Sequence, residues 1–588
     1  MPEKTVQPRF ANVVSTLRYS LVVVSMLAVC SLVVRQGFFL SEKVEYVLSR
    51  LDVLILFYFV FQNAVRLLLS AGKKVFLYTY WFENLISFLI LFVVIHAFCS
   101  IGTDGFSGYL LGNSGAGMPH NYLVLYQILV LLTVVAGAIR LNSRLTAIEA
   151  HPGKILVGSF MVIISFGTVL LMLPRATVSS GSMLFVDALF TSTSAVCVTG
   201  LIVVDTGTYF THFGQAVILA LIQIGGLGIM TLASALTLFL RQNSASIREK
   251  IVLGEIMNIS QLNLIGTALR RIVLLTFAIE AIGCMVLMFL WSGEGWTKTQ
   301  LIYTAVFHSI SAFCNAGFST FSDSLCRYST NLPVVLVFSA LITLGGLGFV
   351  VLMDIGGRKV LEKDSRPTKF RLQTKLVLVT SAILFVFGLV AFFVLDVRYS
   401  GMERFCAALF NSVTARTAGF NTIPTSLVSI PYAMILILLM FIGASPGSTG
   451  GGIKTTTLAV MSVQVSSIIR GKNKTSVFRK TFSNTSVSRA LVVLLFSLAV
   501  VFFSTLLLTI TENMNEFKFM DLLFEEVSAF ATVGLSRGIT SSLSIPGKVI
   551  IIASMFIGRL GPLTLAFAVS APGAEENIEY PRENIMIG

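Results

Sequence analysis

Four short stretches of this chain combine hydroxyl side chains with a glycine at a repeated spacing. They read STSAVCVTGL (192–201), SISAFCNAGF (309–318), SVTARTAGF (412–420) and EVSAFATVGL (526–535). Their glycines, Gly200, Gly317, Gly419 and Gly534, lie 117, 102 and 115 residues apart. A spacing of roughly a hundred residues that is kept four times indicates an internal repeat.

Repeated glycine loops of this kind suit the binding of a dehydrated monovalent cation. Such an ion needs neutral oxygens in place of its water, and a ring of backbone carbonyls supplies them. Glycine adopts the backbone angles that turn successive carbonyls to one side. The candidate filter residues are Val198, Thr199, Gly200, Leu201, Asn315, Ala316, Gly317, Phe318, Thr417, Ala418, Gly419, Phe420, Thr532, Val533, Gly534 and Leu535.

The composition places these loops in a membrane. Hydrophobic residues make up 55% of the chain and charged residues only 12%, as in polytopic membrane proteins. The net charge of +14 is concentrated between hydrophobic spans, in residues 140–154, 241–271, 358–375 and 470–489. This is the positive-inside pattern, which makes these loops cytoplasmic and argues against nucleic acid as a partner.

The chain divides into an N-terminal block and four similar units. Spans near 17–35, 51–70, 82–99 and 121–140 form the block, with the N-terminus in the cytoplasm. Each unit then has an outer helix, a short amphipathic segment, the glycine loop and a second outer helix. The outer helices are predicted at 155–175 and 213–240, 271–291 and 331–353, 375–396 and 428–469, and 488–511 and 545–570.

The four short segments, which begin at Phe185, Leu301, Glu403 and Phe519, are too short to cross a bilayer. They are predicted to be re-entrant half-helices whose negative C-terminal ends point at the ion. We therefore predict an all-α polytopic membrane protein, with four pseudo-fourfold helix–pore-helix–filter–helix repeats around one pore and four extra N-terminal transmembrane helices. The predicted boundaries are 1–150, 151–245, 246–360, 361–475 (with a gating loop) and 476–588 (with the C-terminal tail).

The second helix of the third unit contains a run that helices do not tolerate. Proline lacks a backbone donor, and each glycine costs about 1 kcal/mol in a helix interior. A loop is therefore expected within the membrane, next to a wet cavity. The candidate gate residues in this loop are Gly443, Ser445, Pro446, Gly447, Ser448, Thr449, Gly450, Gly451 and Gly452.

Taken together, the four loops and SPGSTGGGIKTTT from Ser445 resemble the Trk/Ktr/HKT superfamily of potassium transporters, over about residues 150–588. The resemblance implies K⁺ at the filter carbonyls, an intramembrane gating loop, a homodimer with one pore per chain, and a cytoplasmic ring of RCK regulatory subunits. Nucleotide or NAD would act only through that ring, and this chain would hold no cofactor. The tail from Asn577 resembles bacterial members, which implies the bacterial cytoplasmic membrane.

Four charged residues in or near apolar segments have candidate roles. Arg559 lies deep in a predicted span, where a charge is costly and generally functional, and the resemblance implies that it contacts the gating loop. Lys454 either belongs to the gate or extends to the cytoplasm. Arg416 is expected to pair with Glu525 or Glu526 behind the filter. Glu280 could carry a coupling ion or a proton, but a paired structural carboxylate is favoured.

The sequence also bears on functions other than potassium uptake. Plant relatives that prefer sodium have serine at the first filter glycine, where this chain has Gly200, and a sodium-permeable or weakly selective transporter of the same fold stays open. The N-terminal block is faintly similar to voltage-sensor helices, with Arg66 and Trp81 in place. However, Gln62 replaces an acid and only Arg140 and Arg144 end the fourth span, so a scaffold is favoured over a voltage-gated channel. The sequence contains no catalytic constellation, which argues against an enzyme.

Overall fold

The computed structural model describes residues 11–70, 72–92, 95, 152–179, 181–228, 262–356, 370–472 and 474–561. These residues are mostly helical, as predicted. Their one sheet is a two-stranded antiparallel hairpin of β1 (Ser476–Val477) and β2 (Lys480–Thr481). The predicted span 121–140, with Arg140 and Arg144, and the tail from Asn577 lie outside the described residues.

Buried ion pairs join the helices of the N-terminal block, the first between the two long helices and the second between the second long helix and the helix that contains Glu83. Arg35 lies 3.4 Å from Asp52, and Arg66 lies 2.8 Å from Glu83. The block contacts the first unit where Arg175 donates from its backbone N–H to the Gly37 carbonyl at 3.0 Å. The helices are α1 (Ala11–Gly37), α2 (Glu42–Leu68), α3 (Lys73–Thr79) and α4 (Trp81–Phe92).

Four helical units follow the block. Unit 1 contains α5 (Pro152–Leu171), α6 (Phe185–Val196), α7 (Thr206–Tyr209) and α8 (His212–Leu227). Unit 2 contains α9 (Leu262–Leu290), α10 (Lys298–Phe313), α11 (Leu332–Leu347) and α12 (Phe349–Gly356). Unit 3 contains α13 (Leu372–Leu395), α14 (Gly401–Thr414), α15 (Ile430–Phe441) and α16 (Thr455–Ile469), and unit 4 contains α17 (Asn484–Thr511), α18 (Phe519–Phe530) and α19 (Ile545–Leu560).

Helix lengths separate the spanning helices from the short ones. Within the described ranges, three helices are long and apolar enough to cross a membrane: Ala268–Leu290, Leu372–Leu395 and Asn484–Thr511. The bent pair α11 and α12 would make a fourth. The short helices α6, α10, α14 and α18 have only 12, 16, 14 and 12 residues. At about 1.5 Å per residue, they are shorter than the roughly 30 Å hydrocarbon core.

The second helix of unit 2 differs from the prediction of one continuous helix over 331–353. It breaks at Gly348, and α11 and α12 meet at an angle of 102°. Gly348 has a φ of +90°, which ends a helix, and the next N–H, that of Phe349, donates to the Gly447 carbonyl at 2.9 Å. The break therefore connects unit 2 to the glycine-rich loop of unit 3.

The short helices form the centre of the core. Each has a fully buried phenylalanine nine or ten residues before its loop glycine: Phe190, Phe307, Phe410 and Phe524. The long helices instead expose large apolar side chains, as Phe289, Val394 and Ile510 do. This distribution suits a lipid-facing exterior around a packed centre.

Candidate functional site

The four loop glycines meet in a closed ring. A Cβ added to any one of them would collide with a carbonyl of the next loop, and the fourth loop closes on the first. That Cβ would lie 2.4 Å from Ala316 O for Gly200, 2.9 Å from Ala418 O for Gly317, 2.5 Å from Val533 O for Gly419 and 2.1 Å from Thr199 O for Gly534. The structure thus brings together all four predicted filter loops.

The backbone of each loop alternates between left-handed and ordinary angles. The loop glycines have φ between +72° and +92°, and the residues two positions earlier, Val198, Asn315, Thr417 and Thr532, have φ between +51° and +73°. The residues between them, Thr199, Ala316, Ala418 and Val533, do not have positive φ. Alternation of this kind turns successive peptide groups to the same side of the chain. A run of residues that all have negative φ does not do this.

These loops leave backbone oxygens without protein partners. Among the described residues, no N–H or O–H group donates to the carbonyl of any loop glycine or of the two residues before it. Most of these residues are fully buried. A buried carbonyl without a donor is costly, so these twelve oxygens need water or a cation as partner.

A hydroxyl on each short helix supports the loop, a role that the sequence alone did not give. Ser194 donates to the Leu201 carbonyl at 2.7 Å and accepts from the Gly200 N–H at 3.1 Å. Ser311 and Thr414 donate in the same way to Phe318 and Phe420, both at 2.7 Å. Ser528 accepts from the Gly534 N–H at 3.1 Å. The fourth predicted filter residue in the first three loops therefore points its carbonyl back to the short helix. The signal in the sequence was the serine or threonine that stands directly before an alanine in all four stretches.

The glycine-rich loop between α15 and α16 lies directly against two of the filter loops. A Cβ on Gly450 would lie 2.0 Å from Thr417 Oγ1, and one on Gly451 would lie 2.3 Å from Thr532 Oγ1. Only a side chain as small as hydrogen fits at either position. The loop therefore lies next to the ring that the filter glycines form.

Hydrogen bonds hold this loop to unit 2. The backbone N–H groups of Ser445 and Thr449 donate to Gly346 O at 3.1 Å and to Gly345 O at 3.3 Å. Within the loop, the Ser448 hydroxyl donates to Ser445 O at 2.6 Å. A Cβ on Gly348 would lie 2.6 Å from Pro446 O. The loop is therefore an ordered element with defined contacts.

Two cationic side chains also contact the loop. Arg559, in the last turn of α19, donates to the Thr449 carbonyl through Nη1 and to the Gly225 carbonyl through Nη2 at 2.5 Å. Lys454 Nζ donates to Gly450 O at 2.8 Å and to Gly451 O at 3.4 Å. Arg559 thus joins units 1, 3 and 4, whereas Lys454 turns back onto the loop that precedes it.

The predicted pairing of Arg416 with Glu525 or Glu526 is wrong. Arg416 Nη1 donates to the Ser381 carbonyl of α13 at 2.9 Å, and within the described part of the chain it forms no ion pair with either acid. Glu525 instead accepts from the Thr540 hydroxyl. Arg416 extends to the long helix of its own unit, so its nearest acceptor is a carbonyl that the packing of α13 on α14 brings close.

Glu280 has neutral polar neighbours. Gln223 Nε2 donates to its two carboxylate oxygens at 3.1 and 3.3 Å, and the Cys314 thiol lies 3.8 Å from Oε1. This geometry fits the favoured interpretation, a paired structural carboxylate. In the described ranges, no group of three or more His, Cys, Asp or Glu side chains could hold a metal ion.

Comparison with known proteins agrees with this geometry. Residues 127–578 match the family TrkH, described as a cation transport protein. The chain is 38% identical to the potassium/sodium uptake protein NtpJ of Enterococcus hirae over 449 residues, which is 74% of this chain and 97% of that protein. It is 39% identical to the Ktr system potassium uptake protein B of Bacillus subtilis over 445 residues, again 74% and 97%.

The fold also matches a solved structure. The crystal structure of the potassium transporter TrkH from Vibrio parahaemolyticus is similar with a TM-score of 0.58 and 18% identity, over 84% of this chain and 98% of that chain. At this identity the likeness shows a shared fold. With the family match over most of the chain, we conclude that this protein belongs to the TrkH family of cation transport proteins and is a membrane transporter, not an enzyme.

Proposed function

We propose that this chain takes up potassium ions across the bacterial cytoplasmic membrane through one pore, which the four units surround. The ring of buried carbonyls without protein donors carries this proposal. Neutral oxygens around one axis suit a monovalent cation, because they replace its hydration without trapping it. The names of the relatives from E. hirae and B. subtilis support potassium as the ion.

The proposed filter consists of the twelve free carbonyls, with Leu201, Phe318, Phe420 and Leu535 completing the loops. The proposed gate is the glycine-rich loop with Lys454 and Arg559. The position of this loop supports its role as a gate, because Gly450 and Gly451 contact Thr417 and Thr532 of the proposed filter. Opening then requires the Arg559 and Lys454 contacts to break, so that residues 443–452 can leave the axis.

We further propose that the chain works as a homodimer with its N-terminus in the cytoplasm, under a cytoplasmic RCK ring that would bind any nucleotide. The name of the B. subtilis relative, protein B of a Ktr system, supports an assembly of several components. The boundaries 1–150, 151–245, 246–360, 361–475 and 476–588 stay proposals for its organisation. The buried Arg35–Asp52 and Arg66–Glu83 pairs favour a scaffold role for the first block over voltage sensing.

A second candidate is a transporter that also admits sodium. The observation that favours it is the name of the E. hirae relative, a potassium/sodium uptake protein. The two candidates differ in the ratio of K⁺ to Na⁺ flux, which reversal potentials or competitive uptake into proteoliposomes measure directly.

The test of potassium uptake is growth of a potassium-uptake-deficient bacterium in micromolar to millimolar K⁺. The wild-type chain should restore growth and Gly419→Ser should not, at equal membrane expression. Gly293→Ser is the matched control, because a Cβ there meets no atom within 4 Å. If the wild type fails, co-expression with an RCK subunit follows, and failure there as well would contradict the proposal. Rescue by Gly419→Ser would show that the filter is placed wrongly.

A further inference from the structure

Units 1 to 3 share a three-residue contact behind each filter loop. A serine on the short helix donates to a carbonyl of the long helix at 2.7–2.8 Å: Ser192 to Ile164, Ser309 to Glu280, and Ser412 to Phe385. Three residues after that carbonyl lies a glycine, Gly167, Gly283 or Gly388, whose added Cβ would touch both the serine hydroxyl and a leucine of the second helix. The leucines are Leu221, Leu341 and Leu439.

Unit 4 replaces all three members of this contact. By the repeat, Glu526 stands where the serine is expected, eight residues before Gly534 as Ser192 is before Gly200. Ser504, in FFSTLLL, takes the place of the glycine in SFGTVLL. Ser554 takes the place of the leucine, four residues before Gly558 as Leu221 is before Gly225. A contact of serine, glycine and leucine has thus become a carboxylate beside two hydroxyls.

The replacement leaves a buried carboxylate without a counter-charge. Glu526 is fully buried, and neither of its oxygens makes a hydrogen bond within the described part of the chain. The hydroxyls of Ser504 and Ser554 are polar neighbours of Glu526, and they lie 3.3 Å from each other. A carboxylate in such a place needs either a bound cation or a proton, since an isolated buried charge is very costly.

We propose that Glu526, Ser504 and Ser554 form a second monovalent cation site, separate from the filter, and that its ion is Na⁺. All available ligands are hard oxygens, which suit an alkali-metal ion and not a soft metal. A carboxylate is a ligand of stronger field than the neutral carbonyls of the filter loops, and a stronger field favours the smaller alkali-metal ion. A bound Na⁺ would supply the missing positive charge and bring the three side chains together.

The site is connected to the filter through the short helix α18. Glu526 lies two residues before Ser528, whose hydroxyl accepts from the Gly534 N–H and whose carbonyl accepts from the Val533 N–H at 2.8 Å. A Na⁺ ion bound at this site would therefore stabilise the fourth filter loop through α18. This effect rests on the proposed function, but binding itself does not.

The experiment measures the apparent Tm of the purified full-length protein during titration with NaCl. Choline chloride keeps ionic strength constant, and saturating KCl fills the filter throughout. Na⁺ should raise the Tm of the wild type saturably, by about 2 °C or more. Glu526→Gln should remove the shift, whereas Glu525→Gln, which changes the charge of the neighbouring acid, should keep it.

A triple variant serves as a control in case Glu526→Gln does not fold. Glu526→Ser with Ser504→Gly and Ser554→Leu rebuilds the contact of the other three units and should fold without any Na⁺ response. No Na⁺ shift in the wild type, or an equal shift in wild type and triple variant, would overturn the site. Stabilisation by acid with no response to Na⁺ would mean that a proton neutralises Glu526, and it would also overturn the proposal.

Uptake of K⁺ into proteoliposomes of the same preparation separates the two proposals. Uptake that does not depend on Na⁺, together with the absence of a Tm shift, would contradict only the Na⁺ site. A Tm shift that is specific to Glu526 without any K⁺ uptake would contradict the proposed function and leave the site standing.

Discussion

Gly534 closes on Gly200, so that the last filter loop of the chain completes a ring with the first. A Cβ on Gly534 would lie 3.0 Å from the Gly200 Cα and 2.1 Å from the Thr199 oxygen. Both glycines have left-handed φ, +90° and +92°. The two residues are more than three hundred positions apart in the chain, yet Gly534 tolerates no side chain because of the first loop, and Gly200 tolerates none because of Ala316 and Gly317 of the second.

Gly534→Ala is therefore expected to abolish uptake. The added methyl collides with a backbone oxygen and cannot rotate away, and the φ of +90° adds strain of about 1 kcal/mol or more. Rb⁺ or K⁺ uptake into proteoliposomes measures the loss. The matched control is Gly158→Ala, because a Cβ at that position meets no atom within 4 Å and it lies in the helix α5. Wild-type uptake by Gly534→Ala would contradict the ring.

The supporting hydroxyls predict a change in selectivity. Ser194→Ala removes one hydrogen bond to the Gly200 N–H and one to the Leu201 carbonyl, at a cost of roughly 1 kcal/mol each. The protein should fold, but a loosened loop should admit Na⁺ more readily. Competitive uptake of K⁺ in the presence of Na⁺ tests this, with Ser194→Thr as the conservative variant that keeps the hydroxyl. Equal selectivity of all three proteins would show that the hydroxyl does not position the carbonyls.

The sequence predicted the parts of this architecture that repeat. Glycine loops and short helices recur four times, and each copy reinforces the interpretation of the others. The break at Gly348 was missed because glycines in TLGGLG are compatible with a helix, and the acceptor for Phe349 lies on another unit at Gly447. Arg416 was paired wrongly for the same reason, since its acceptor is a backbone carbonyl and carbonyls carry no sequence signal. Contacts between helices, within one unit for Arg416 or between units for Phe349, depend on packing that composition and spacing do not encode.

Asp396 makes stability depend on pH at the end of α13, outside the membrane-spanning segment. Burial alone would raise the pKa of this carboxyl, but hydrogen bonds from Arg398 and from the Ser429 N–H, at 3.1 Å each, lower the pKa below its ordinary value. A lowered folded-state pKa stabilises the protein above the unfolded-state pKa, and the gain disappears as pH falls through the folded-state pKa.

Asp396→Asn should therefore lower the thermal stability at pH 7. Its Tm and that of the wild type should converge as the pH falls below about 4, the ordinary pKa of an aspartate, and then through the lowered folded-state pKa of Asp396. Thermal denaturation in detergent across this range provides the comparison. A Tm difference that stays constant down to pH 3 would mean that the contacts of Asp396 do not depend on its charge.

Arg559 is expected to hold the proposed gate closed. Its guanidinium donates to Thr449 in the loop and to Gly225 in unit 1, so that it ties three units together. Arg559→Gln keeps some hydrogen-bonding capacity but loses the charge and the two-pronged geometry. Because the closed loop loses a charged contact that an open loop does not need, the initial rate of K⁺ uptake should rise several-fold without a regulatory subunit.

Lys454→Gln provides the comparison for Arg559→Gln, because Lys454 contacts Gly450 and Gly451 of the same loop and does not bridge to another unit in the described structure. Its effect on the rate should be smaller. An equal rise of the K⁺ uptake rate in both variants would mean that contacts within the loop, and not the bridge to unit 1, keep it closed. A fall in uptake for Arg559→Gln at normal expression would show that the arginine supports conduction, for example by fixing the shape of the loop, and would contradict its role as a latch.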